Sequence, residues 1–347
     1  MTNALVTGAG GYIGTRLTAR LLEADIAVRG LDRYFFGRNL LGPTVLSHPK
    51  FSLLQSDIRD VDERHFEDID VVFDLAGLSN DASGELDPTL TNRINRAGSL
   101  RVAEMAKAAG VPRYVFASSC AVYGLSGEGV VDEQSPLNPV SAYARAKAEV
   151  EPELLALAEP NFCVTLLRNA TVYGLSPRMR FDLAVNVMTF FAWEEGRILV
   201  RGGGKQWRPF VSIEDVVGAM LAVADADPGL VNGEIFNVGS DDQNFRIDRL
   251  SYVIKQTVEE YGKAIQLEVV PEDSDHRSYQ VAFEKIGDVL GWQTSHSVEA
   301  SVRAIYEALE ERRVDPSDPR TITVTFYLHL LECERLLTEV GRDGKIF

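Results

Sequence analysis

Short apolar runs alternate with stretches of helical spacing along the first half of this chain. Asn3-Ala4-Leu5-Val6-Thr7, Ile26 to Leu31, Phe51 to Gln55, Val71 to Leu75, Tyr114 to Ala117 and Val164 to Leu167 read as strands. Helical spacing fills Tyr12 to Glu23 and the stretches near residues 89 to 109 and 143 to 158. Strands separated by helices pair in parallel, so the alternation predicts an α/β fold on a doubly wound parallel sheet. Past about residue 174 the texture becomes irregular, with a helical run at 181 to 195 and the cluster Gly202-Gly203-Gly204. A smaller, substrate-holding domain is expected to begin there. Near the C-terminus Thr321 to Phe326 alternates like a strand while Tyr327 to Val340 has helical spacing, and a single helix is the expected form.

The turn after the first strand, Gly8-Ala9-Gly10-Gly11-Tyr12-Ile13-Gly14, carries the first chemistry. Gly8 permits a tight turn, Gly11 lets the backbone approach a diphosphate, and Gly14 lets helix and strand pack closely. The diphosphate belongs at the helix N-terminus, beside Tyr12 and Ile13, where unpaired N–H groups and the helix dipole favour an anion. The second strand leads to Asp32, eighteen residues past Gly14. That is close to the ~20 at which a carboxylate binds the ribose 2′-hydroxyl of NAD and repels the 2′-phosphate of NADP. NAD is the expected cofactor, and Arg33, next in the chain, is the residue that could reverse the choice.

Tyr143-Ala144-Arg145-Ala146-Lys147 places a phenol and an ammonium one helical turn apart on the same face. A free phenol titrates at about 10. A fixed cation and the positive ring of an oxidised nicotinamide both favour phenolate, so Tyr143 is expected to be pulled toward neutrality and to act as a base toward an alcohol whose carbon gives up hydride.

Composition narrows the class. A chain of 347 residues is long enough for about two domains. Cys120, Cys163 and Cys333 are too few and scattered for a disulfide framework, and the first strand begins too early to leave room for a signal peptide, so a cytoplasmic setting is expected. The net charge of −16 argues against nucleic acid or an anionic membrane as partner, and an anionic substrate would have to be held by local arginines. None of the five histidines, His48, His65, His276, His296 and His329, sits in a ligand-like pair, and no metal is expected.

With these residues in view the chain resembles the extended short-chain dehydrogenase/reductase family, in its nucleotide-sugar epimerase and dehydratase branch, over most of its length. The resemblance implies a Rossmann-type NAD domain over 1–174 plus about 209–240, and a substrate domain over 175–208 plus 241–347. It assigns Asp57-Ile58 to the adenine and Leu75-Ala76-Gly77 to the backbone lining the cofactor. Ser118-Ser119-Cys120-Ala121-Val122-Tyr123-Gly124 looks like the family's serine motif, in which Ser119 hydrogen-bonds the reacting hydroxyl beside Tyr143 and Lys147. Arg208, in Trp207-Arg208-Pro209-Phe210, and Arg277, in His276-Arg277-Ser278-Tyr279, match positions that grip the substrate diphosphate; the alternative for each is an ion pair with a surface acid. Asn186 either faces the nucleotide or is solvated, and Ser79-Asn80-Asp81 either touches the sugar or caps the following loop. By the same resemblance the helices at 89 to 109 and 143 to 158 build a homodimer interface.

Two departures bear on the reaction. Dehydratases of this branch carry an acid pair after the active hydroxyl residue, where this chain has Cys120 and Ala121. In Arg168-Asn169-Ala170-Thr171-Val172-Tyr173-Gly174 the family's usual asparagine is replaced by Thr171, so the contact made there with the substrate differs. The Arg178 to Asp182 stretch is also unusual and hints at a specialised sugar. The expected function is an NAD-dependent nucleotide-sugar epimerase working through a transient 4-keto sugar. A nucleotide-4-keto-sugar reductase would use the same residues once with NAD(P)H, and a non-catalytic dinucleotide sensor or scaffold would use only the fold.

Overall fold

A computed structural model describes residues 1–125, 129–271, 277–342 and 345. Seven strands form the central sheet: β1 (Asn3–Thr7), β2 (Ala27–Asp32), β3 (Phe51–Gln55), β4 (Val71–Asp74), β5 (Arg113–Ser119), β6 (Cys163–Asn169) and β7 (Glu234–Val238). Their order is β3-β2-β1-β4-β5-β6-β7 and every pairing is parallel. The order reverses between β1 and β4, and the crevice outside the carboxyl ends of those strands is where such sheets bind ligands.

Successive side chains point to opposite faces of a strand, and here both faces are covered. Ala4, Val6, Val71, Phe73 and Val115 join one apolar cluster, while Leu5, Val72, Tyr114 and Phe116 join the other. The first cluster is closed by α1 (Tyr12–Glu23) through Leu17 and Leu21. The second is closed by α2 (Ser99–Ala108) and α3 (Ala142–Leu155) through Val102, Ala106, Val150 and Leu154. A π-helical turn, Arg93–Gly98, precedes α2. It brings Gly98 so close to Ile58 that a Cβ there would stand 2.7 Å from Ile58 Cδ1.

Outside the sheet, α4 (Ala184–Glu195), α6 (Ile247–Glu259) and α7 (Val298–Glu310) pack on one another around Val185, Ile254, Val302 and Tyr306. A small sheet of Thr171–Tyr173, Trp207–Ser212 and Asn244–Arg246 connects this layer to the main sheet, and α5 (Ile213–Asp225) leads back to β7. The C-terminal stretch forms one helix, α8 (Thr323–Val340), as expected. Its start is anchored, with Thr323 and Phe326 buried and Tyr327 against Phe36, while Leu328, Leu331 and Val340 are exposed. Among the described residues no helix is long and apolar enough to cross a membrane, and no group of histidine, cysteine, aspartate and glutamate could hold a metal. His276 lies outside the described residues.

Candidate active site

The carboxyl ends of β1, β4 and β5 open into a cavity of about 630 Å³. Its first wall is mostly backbone. Gly8, at φ +68°, turns the chain so that its N–H reaches Leu31 O at 2.8 Å, and Gly11 N–H closes the turn on Gly8 O at 2.9 Å. A Cβ on Gly14 would stand 2.0 Å from Gly8 O, so only glycine lets α1 begin this close to the turn. Thr7 fixes the neighbouring loop: its hydroxyl donates to Asp74 at 2.5 Å and accepts from the N–H groups of Leu75 and Ala76, each at 3.1 Å. Asn95, in the π-helical turn and invisible to sequence reasoning, holds the rest by accepting from Leu78 N–H at 2.8 Å. Gly8, Gly11, Tyr12, Ile13, Gly14, Leu75, Ala76 and Gly77 all line the cavity.

At the far end Asp32 accepts from Gly10 N–H at 3.0 Å and Tyr34 N–H at 2.6 Å. Burial raises its pKa, with these two bonds opposing the shift. Asp57 pairs bidentately with Arg59, which holds its carboxyl below the usual range, and Arg33 bonds it at 3.3 Å while stacking on Phe35. Ile58, Asp57, Asp32 and Arg33 line this end of the cavity. A glycine turn at a helix N-terminus and a carboxylate at the tip of the next strand together fit a dinucleotide.

The middle of the cavity gathers Ser119, Tyr143 and Lys147. Ser118, one residue earlier, points into the core and donates to Glu151 at 2.6 Å, so the strand's alternation leaves Ser119 facing the cavity. Lys147 Nζ is buried, donates to Ala117 O at 2.7 Å and lies 4.1 Å from the Phe116 ring. Burial pulls its pKa down to about 8. The expected lowering of Tyr143 does not arise from the protein's own groups: burial dominates and pushes the phenol up to about 12, opposed by a hydrogen bond with Ser119 and the charge of Arg180. Cys120 is buried with its thiol on Arg168 O at 3.2 Å, and burial pushes that thiol up, so it is no acid in place of the missing pair.

The opposite wall is made of side chains. Ser79, Thr171, Arg178, Arg180, Asp182, Arg208 and Arg277 reach it from five separate segments. Arg180 forks onto Asp182 at 2.9 and 3.0 Å and donates to Ser79 Oγ at 3.2 Å. Asn80 caps the turn Asp81–Gly84 and also donates to Asp182 at 2.9 Å. Arg277 pairs with Asp81 at 2.7 Å, and Arg208 donates to Trp207 O and Arg277 O. Asn186 is not on this wall, and it differs from the expectation. Its oxygen accepts from Gly174 N–H at 3.0 Å, and its amide donates to Tyr12 Oη at 3.1 Å and Arg180 O at 3.0 Å. Ala184, Val187, Met188 and Phe191 line the cavity from α4 instead. The Tyr12 hydroxyl likewise serves the scaffold, donating to Gly174 O at 2.6 Å. Sequence reasoning assigned no role to Arg180, Asp182 or Tyr327; the clustered charges of 178 to 182 were the only signal for the first two.

A family model described as the NAD dependent epimerase/dehydratase family matches residues 4–239. The chain belongs to that family. It is an enzyme of the extended short-chain dehydrogenase type, and its cofactor is NAD. A UDP-glucose 4-epimerase of Mycolicibacterium smegmatis is 33% identical over 245 residues, covering 68% of this chain and 76% of the relative. A dTDP-D-glucose 4,6-dehydratase of Mus musculus is 28% identical over 323 residues, covering 87% of each. The solved structure of UDP-glucose 4-epimerase from Thermotoga maritima with UDP-glucose superposes with a TM-score of 0.79 at 25% identity, covering 90% of this chain and 100% of the other.

Proposed function

We propose that this enzyme is a nucleotide-sugar 4-epimerase, with UDP-sugars the first substrates to test. The observation that carries the reading is the meeting of Ser119, Tyr143 and Lys147 in one cavity with the glycine turn at one end and Arg208 and Arg277 at the other. NAD⁺, when bound, supplies the hydride acceptor and a positive ring that favours phenolate. Tyr143 Oη then takes the proton of the 4-hydroxyl while Ser119 Oγ supports the oxygen. Lys147 keeps a cation beneath the site. After the keto sugar turns over, C4 takes hydride back on its opposite face and Tyr143 returns the proton to the 4-oxygen. Arg208 and Arg277 hold the sugar nucleotide's diphosphate by charge-assisted bonds, which leaves the sugar free to rotate. Cys120 and Ala121 offer no acid or base for elimination. The helical layer around α4, α6 and α7 is the substrate-holding part in this reading, and α2 and α3 are the proposed homodimer surface.

The test is to denature freshly purified protein, identify the released small molecules by mass spectrometry, and then offer UDP-sugars with no added reductant. Bound NAD⁺ and formation of the C4 epimer are expected. A requirement for NAD(P)H, consumed one per product, would replace the epimerase with a 4-ketoreductase. Tyr143→Phe should lose at least ~10³-fold of turnover, in line with removal of an essential proton-transfer group, while retaining NAD⁺.

A further inference from the structure

Arg178 is the cavity's least expected cation. It is 2% exposed and stands where the second wall approaches the adenosine end of the first. Arg180, two residues on, is matched by Asp182, whereas Arg178 forms no ion pair among the described residues. Its hydrogen bond is from Nη2 to Thr323 Oγ1 at 2.9 Å, and its Nε is buried without a partner. The guanidinium stacks 3.7 Å from the Phe36 ring, just beyond β2. Phe36 is itself wedged against Phe326 and Tyr327 of α8, with centroids at 5.4 and 5.6 Å, and its carbonyl accepts from Arg320 at 2.7 Å. The loop after β2 and the start of α8 thus orient one buried cation that lines the cavity.

The neighbours of that charge locate it. Its field reaches Asp182 on its own segment, Asp32 at the tip of β2, Tyr12 at the start of α1, Asp318 just before α8 and Tyr327 on it. A diphosphate at the start of α1 has backbone N–H donors on the glycine side only. Its outward oxygens face the second wall, where a guanidinium fork is the matching donor. We propose that Arg178 is a ligand of the dinucleotide's diphosphate, delivered from the wall opposite the glycine turn and held in place by Phe36 and the first turn of α8. The assignment rests on the dinucleotide site and is independent of which sugar is turned over.

The full-length protein, freed of bound nucleotide, would be titrated calorimetrically with NAD⁺, ADP-ribose and adenosine, comparing the wild type with Arg178→Met and Arg178→Lys. The methionine variant should bind NAD⁺ and ADP-ribose about tenfold to a hundredfold more weakly, the range for loss of a charged hydrogen bond, with adenosine unchanged. Lysine should recover part of the loss, since it restores charge without the fork. Equal weakening for adenosine would reduce Arg178 to a structural role, and undiminished ADP-ribose binding would overturn the proposal. Should the methionine variant not fold, Arg178→Lys decides: full ADP-ribose affinity in it removes the fork from the site.

Discussion

The two walls of the cavity are built from different material. On one, the glycine turn and the loop after β4 present backbone, positioned by strand ends and by Thr7 and Asn95. On the other, Arg180 and Arg277 present charge, positioned by Asp182 and Asp81. A backbone wall admits almost no side-chain change, because an added atom meets a carbonyl. A side-chain wall can exchange one ligand group for another without moving the fold. Such a division fits relatives of this chain that are named for different sugar nucleotides and reactions, UDP-glucose 4-epimerase and dTDP-D-glucose 4,6-dehydratase.

The sharpest way to break the first wall is Gly14→Ala. With Gly8 O only 2.0 Å from the new Cβ, α1 must shift away from the turn, and a destabilisation of about 3 kcal/mol is expected from overpacking. NAD⁺ should no longer co-purify. Gly11→Ala is the control, since its Cβ meets only Gly8 O at 3.0 Å and its φ of −83° suits any residue. Thermal melts should separate the two, the second variant keeping most of its stability; equal melting temperatures would mean that the turn is softer than its geometry. On the second wall, Arg208→Gln should weaken sugar-nucleotide binding by about tenfold to a hundredfold and leave NAD⁺ content unchanged. Loss of NAD⁺ in that variant would mean that the walls are not independent.

That asymmetry also explains what could be read from the sequence. The sheet, its parallel order and the glycine turn follow from local patterns, since period, glycine spacing and strand length are encoded within about thirty residues. Ser119 was legible through its place in the serine motif, three residues before Val122. The second wall depends on segments far apart in the chain: Arg277 meets Asp81, Arg178 meets Phe36 and Thr323. Nothing local announces such pairings. Asn186 illustrates the reverse error, a polar residue on a cavity-lining helix whose buried amide is fully engaged by Gly174, Tyr12 and Arg180. Tyr143 is a third case: its spacing to Lys147 was legible, but the burial that pushes the phenol up was not.

Lys147 is the exception on the backbone wall, a buried cation bonded to a carbonyl and lying against a ring, and it should cost stability. Its pKa stands near 8 against an ordinary 10.5, burial being the cause and the charges of Asp74 and Glu151 opposing it. Below pH 8 both folded and unfolded chains carry the proton, so the penalty is present in full, at most about 3 kcal/mol from the size of the shift. Between about 8 and 10.5 the unfolded chain holds more protons than the folded one, and the free energy of unfolding therefore rises with pH until the penalty is gone. Lys147→Met removes the charge but also the bond to Ala117 O, leaving a net gain of about 1–2 kcal/mol at pH 7. The variant should melt a few degrees above the wild type at pH 7, and the difference should shrink as pH rises through 8 toward 10.5. A difference that stays constant with pH would mean that lost packing contacts, not the buried charge, set the stability of this position. If the gap does close, the charge that the proposed chemistry needs is held at the fold's expense.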